Sequence, residues 1–133
     1  MRLAALFLCV ALLGCTGISG SDCRPGMIPA RTAELFFGRD IGAAEGVSDE
    51  DWRHFVDSEI APRFPDGFTV GDAAGAWRGP GGQMVRERSK RLFLVLSGKS
   101  DEAGKLAAIR AAYKSRFHQD AVMLLEGPAC VSF

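Results

Sequence analysis

Glu87 to Leu96, ERSKRLFLVL, constrains the fold more than any other stretch of the chain. A charged half runs into five consecutive apolar residues, Leu92 to Leu96, and Gly98 closes the run. An apolar run of this length, ended by a turn signal, reads as a strand buried on both faces. Such a strand is central, so the remaining chain has to supply its neighbours and its cover. The 133 residues suffice for one modest domain. Hydrophobic residues make up 47%, which predicts a folded core. Basic and acidic residues balance at 16 each, so no basic excess marks the chain for nucleic acid.

Around that strand the order reads β-α-β-β-α-β. Thr32 to Gly38 alternates, with Leu35 and Phe37 on one side and Glu34 and Phe36 on the other. Arg39 to Val47 reads as a loop. Ser48 opens a helix, with Asp51 standing where a capping box usually has Glu or Gln. Trp52, Phe55, Val56 and Ile60 follow at helical spacing, and Pro62 ends the run. Phe68 to Trp77 is a second strand, in which Gly71 and Gly75 predict a bulge or a bend. Gly79-Pro80-Gly81-Gly82 turns the chain back into the organising strand, completing a long hairpin. A second helix starts at Ser100 or Asp101, with Leu106, Ile109, Tyr113 and Phe117 on one face. Ala121 to Leu125 is the last strand; Pro128 interrupts it, and Ala129 to Phe133 is an apolar tail. Right-handed crossovers then predict an α+β, ferredoxin-like fold. It has a four-stranded antiparallel sheet with two helices on one face, the first and third strands central.

The N-terminus reads as an address. Arg2 precedes an unbroken apolar run from Leu3 to Leu13, too short to span a bilayer but fitting a secretory signal over residues 1–14. Leu12-Leu13-Gly14-Cys15 resembles the lipobox of bacterial lipoproteins, which implies acylation of Cys15 and cleavage before it. The alternative is an ordinary signal cut near Ser19-Gly20-Ser21. Residues 15–31, rich in Gly, Ser and Pro, read as a flexible tether, and 32–133 as the domain. The expected location is the periplasmic face of a bacterial membrane, held there by the lipid, or else soluble in the periplasm or secreted. Removing the signal discards Cys9 and acylation uses Cys15. Cys23 and Cys130 remain, an even pair in an oxidising compartment, and a disulfide between them is expected.

Four phrases, ELFFGRDIG, VSDEDWRHFVDSEIAPRFPDGFTV, ERSKRLFLVL and ACVSF, resemble the bacterial exported domain-of-unknown-function family DUF3574. The resemblance runs from about Ala33 to Phe133. It implies an envelope protein and brings no catalytic residue. Gly71 after FTV and the glycine-rich GPGG turn depart from the pattern.

Few constellations promise chemistry. Gly98-Lys99-Ser100 lacks the glycine a P-loop needs five residues earlier, where Phe93 stands. Glu50, His54 and Asp57 can share a helix face, but it is the face away from the apolar stripe and reads as solvated. Two histidines and two remaining cysteines do not compose a zinc site, and no cofactor is implied. The surface to test is the side of the sheet without helices. Alternation puts Glu34, Phe36, Thr69, Trp77, Glu87, Ser89, Arg91 and Phe93 there. Glu34 and Arg91 have the parity to pair. That face could pack on a second subunit in a homodimer, line a small-molecule pocket, or stand in solvent. The function expected is binding without catalysis; the alternative is a cofactor-independent enzyme on the same face.

Acylation is directly measurable. The full-length protein is expected to partition with membranes and to incorporate labelled fatty acid, and Cys15→Ser is expected to abolish the label. Release of a soluble protein beginning near Asp22 would sink the assignment.

Overall fold

The computed structural model describes residues 23–41 and 44–133. The alternation around Phe37 extends further back than its apolar part: β1 spans Ile28–Gly38. A short ribbon follows, β2 at Asp40–Ile41 and β3 at Ala44–Glu45, within the stretch read as a loop. Helix α1 is Asp49–Phe55, then β4 at Thr69–Arg78, β5 at Met84–Leu96, helix α2 at Glu102–Phe117 and β6 at Met123–Val131. The main sheet has the order β4-β5-β1-β6 and every pairing in it is antiparallel. This is the ferredoxin-like α+β arrangement, with β1 and β5 central.

Ser48 caps α1 as the sequence indicates. Its hydroxyl accepts from the Asp51 amide at 3.1 Å, and the Asp51 carboxylate accepts from the Ser48 amide at 3.0 Å. Past Phe55 the helix widens into a π-helical turn over Val56–Ile60. Phe55 and Ile60 are five residues apart, which α-helical geometry would place on different faces; the wider turn lets both reach the core. The core lies between the helices and the inner face of the sheet. Leu35 and Phe37 meet Leu92, Leu94 and Leu96 there, under Leu106, Ile109, Tyr113 and Phe117. Phe37 is ringed by Trp52, Phe55 and Tyr113, with centroids 5.2, 6.0 and 4.8 Å away.

Several expectations change. The organising strand is buried on one face only. Leu92, Leu94 and Leu96 are buried, but Val95 is 39% exposed and Phe93 half-buried, because both helices pack on the same side of the sheet. No bulge forms at Gly71 or Gly75, and β4 pairs with β5 without a break from Thr69 to Arg78. Pro128 does not end the last strand. As a residue of an edge strand it can keep its missing N–H out of the ladder, and β6 continues to Val131. The disulfide joins Cys23 to Cys130 with Cα atoms 5.6 Å apart. Residues 28–31, placed in the tether, are strand. The signal segment 1–14, Cys15 and the tether up to Asp22 lie outside the described residues.

The hairpin outruns its cover. On the helix side of β5, burial ends at Lys90. Beyond it Arg88, Arg86 and Met84, with Ala74, Ala76 and Arg78 of β4, are all exposed. From Glu87 outward, β5 also lacks β1 as a neighbour, since the β1 register stops at Gly38↔Ser89. What remains is a two-stranded arm closed by the Gly79–Gly82 turn.

Phe37 touches both helices, so its truncation leaves a cavity that neither can fill alone. Phe37→Ala is expected to cost about 3–5 kcal/mol in denaturant unfolding. A loss below about 1 kcal/mol would mean that the cluster is not the centre of the core.

Candidate functional site

The helix-free face is built by parity and register. Thr69 stands opposite Phe93, which stands opposite Glu34 on its other side. Arg91 lies between Gly71 and Phe36, and Ser89 between Ala73 and Gly38. Trp77 stands opposite Val85, and Glu87 opposite Gly75. All eight residues singled out by alternation therefore share this face. Glu34 and Arg91 form an ion pair, with half of the Arg91 side chain exposed. The strands that carry them are antiparallel neighbours. A pair this open contributes under about 1 kcal/mol in the isolated chain. Arg91 also lies over the Phe93 ring, 5.6 Å from its centroid.

The face is not uniform. At the arm end it hollows into a groove of about 1040 Å³, whose wall includes Phe36, Trp77, Val85, Glu87, Ser89 and Met123. Four of the eight residues, Phe36, Trp77, Glu87 and Ser89, are thus brought together. Glu34, Thr69, Arg91 and Phe93 lie further along the sheet. The hollow exists because the strands are small there. Ala73, Gly75 and Gly38 carry little or nothing on this face, and a Cβ at Gly38 would collide with the Glu87 carboxylate. At the rim, Gln119 donates to the Asp40 carbonyl at 2.9 Å, tying the end of α2 to the start of the β2–β3 ribbon.

Glu87 is the chemical centre of this groove. Partial burial pushes its carboxyl up, the nearby Asp40 charge pushes it further, and a hydrogen bond with the Trp77 side chain opposes the rise. Asp40 and Asp120 add negative charge to the wall. The groove is therefore an apolar slot with an acidic end. Sequence parity found Glu87 and Trp77. The same alternation, continued along β5, would have found Val85. Asp40, Gln119 and Asp120 had no local signal, because chain topology alone brings those loops to the sheet end.

Two other places look functional and are structural. Gly98, at φ +83, and Ser97 donate their amides to Glu102 at 3.1 and 2.7 Å. A carboxylate fills the place where a P-loop would hold a phosphate. On the helix side a notch of about 280 Å³ lies beside Lys90, which is only 7% exposed. Burial pulls the Lys90 ammonium down, but hydrogen bonds to Asp49 and Asp72 and their charges outweigh it, and its pKa ends raised. The same Asp49 holds Arg39 at 3.1 Å, and its hydrogen bond with Lys90, then the two cationic charges, keep it low. With both carboxylates already committed, this cluster closes the core edge. Glu50, His54 and Asp57 are exposed, as expected of a solvated face.

Comparison places this geometry among known proteins. A family model described as "Protein of unknown function (DUF3574)" matches residues 32–133. No curated protein matches the chain. Among solved structures, a phage SAM lyase in complex with S-methyl-5′-thioadenosine is similar in fold. It has a TM-score of 0.57 and 22% identity, over 78% of this chain and 90% of that one. The apo state of a phage SAM lyase gives the same score and identity over 86% and 97%. CutA from Synechococcus elongatus follows, at TM-score 0.52 and 10% identity over 81% and 87%.

The raised Glu87 carboxyl has a stability signature. Its protonated form is favoured in the fold. Its contribution is therefore fully present below the ordinary value of 4.5 and is lost as pH rises through the elevated one. Glu87→Gln is expected to unfold at higher temperature than wild type at neutral pH, with the gap closing in acid. Parallel pH–stability curves for the two proteins would show that Glu87 is unperturbed.

Proposed function

The chain belongs to the DUF3574 family, which has no assigned function, and from that premise we propose that it is an exported envelope protein binding a small organic ligand on the helix-free sheet face. The ligand is an apolar body carrying a positive charge. One observation carries this reading: a half-buried, proton-favouring carboxyl, Glu87, set beside Trp77 in an apolar groove with Asp40 close by. A cation there would offset the mutual repulsion of Glu87 and Asp40, and the indole face suits it further. The Cys23–Cys130 disulfide supports an oxidising compartment, and with it export, while acylation at Cys15 rests on the Leu12-Leu13-Gly14-Cys15 sequence. The fold in the phage SAM lyase accommodates S-methyl-5′-thioadenosine, which supports a small-molecule site on such a scaffold by analogy of fold alone.

The second reading is a cofactor-independent enzyme. It is favoured by the same carboxyl, since a raised pKa suits a group that gives and takes a proton. In that role Glu87 would exchange one proton with the bound molecule while Trp77 and Phe36 hold it in place.

Titration with aryl ammonium compounds, each beside its uncharged isostere, tests the binding reading through Trp77 emission. S-methyl-5′-thioadenosine serves as a neutral adenosine. The ammonium member of each pair is expected to bind about tenfold tighter, equivalent to about 1.4 kcal/mol, and to lose that preference in Glu87→Gln. Binding should strengthen as pH rises through the Glu87 titration. No response from any compound, or a preference that survives Glu87→Gln, would end this reading. Product formation that Glu87→Gln stops would favour the enzyme instead.

A further inference from the structure

Among the described residues nothing covers the β4–β5 arm. Gly75 to Arg78 pair with Met84 to Glu87 and with nothing else among the described residues. An isolated two-stranded ribbon is marginal in water, and this one carries a large apolar side chain on each face. Trp77, on the helix-free side, is 49% exposed, and Met84, on the other, is 62% exposed. Neither belongs to the core, so intramolecular packing explains neither.

The two edges of the sheet are treated differently. Edge strand β6 carries Pro128 and is bound at its end by the Cys23–Cys130 bridge. Edge strand β4 has neither proline nor lysine along its ten residues, TVGDAAGAWR. Asp72, its one carboxylate, is committed to Lys90. A long edge of small residues without such guards is open to pairing with another chain.

We propose that the β4–β5 arm and the β4 edge join this chain to a second copy of itself, and that the groove around Glu87 is closed only in that oligomer. With strands about 4.8 Å apart and about 3.4 Å of rise per residue, the two faces of the arm offer roughly 260 Å² per copy, and the ten-residue β4 edge adds a ladder about 34 Å long, so edge pairing has to carry much of the contact. The arm also forms one wall of the groove, through Trp77, Val85 and Arg86. A copy that engages the arm therefore sits over the open side of the slot. The oligomer follows from the arm and the edge alone; the closure of the groove rests on the ligand-binding reading above.

The test needs no ligand. Sedimentation of the purified protein is expected to give a multiple of the chain mass. The double variant Trp77→Asp, Met84→Asp is expected to give a monomer that keeps the wild-type far-ultraviolet dichroism and a cooperative unfolding transition, since both side chains lie outside the core; its midpoint falls only by what assembly adds. Acrylamide quenching gives an independent measure: with Trp52 buried, Trp77 is the accessible one of two tryptophans, and its quenching is expected to fall as concentration rises. A wild-type monomer with concentration-independent quenching would overturn the proposal. So would a folded double variant that keeps the wild-type mass. An oligomer that ignores every ammonium compound keeps the assembly and ends the ligand reading. A monomer that binds them does the reverse.

Discussion

The domain depends on Phe37 being gripped by both helices at once. Its ring lies against Trp52 and Phe55 of α1 and Tyr113 of α2. One residue later the Tyr113 hydroxyl donates to the Gly38 carbonyl at 2.8 Å. Burial pushes the Tyr113 phenol well up, so it stays a proton donor at any physiological pH. The last two residues of β1 are therefore fixed by side chain and by backbone. Gly38 is also where a missing Cβ leaves room for Glu87. The contact that organises the core thus sets the floor of the groove on the other side of the sheet.

Much of the fold was legible because its signals were local. Ser48 with Asp51 marked a helix start, and Leu106, Ile109, Tyr113 and Phe117 marked the inner face of α2. Period-two alternation sorted the faces of β1 and β5 correctly, residue by residue. What misled was reading single residues without their position in the sheet. Gly71 and Gly75 look like strand breakers, and Pro128 like a stop. On edge strands neither disrupts a ladder on two sides, and pairing with one neighbour suffices. The apolar run Leu92 to Leu96 suggested cover on both faces. A continuous run cannot distinguish that from a strand with one covered face and one face that is apolar for another reason.

The groove was legible in part, and the division follows its origin. Phe36, Trp77, Glu87 and Ser89 come from strands, where alternation speaks. Asp40 opens the short β2 strand and Gln119 and Asp120 follow α2, and their meeting point is decided by topology. The buried cations were missed for a related reason. Arg39 and Lys90 sit where the core ends, and their carboxylates come from α1 and β4. No window of sequence holds both halves of such a cluster. Burial in this case does not signal a site: both buried cations already have their counter-charges.

The bridge between Cys23 and Cys130 has a mechanical meaning in the proposed lipoprotein. It fixes residue 23 to the sheet, before β1 begins. Only eight peptide steps separate Cys15 from Cys23, a leash that can extend at most about 29 Å. The leash is attached at the Ile28 end of β1, whereas the β4–β5 ribbon continues past the Gly38 end. The molecule would stand on the bilayer by one end of its sheet, with the acidic slot and its two-stranded extension held outermost, where molecules arriving from the aqueous side meet them first.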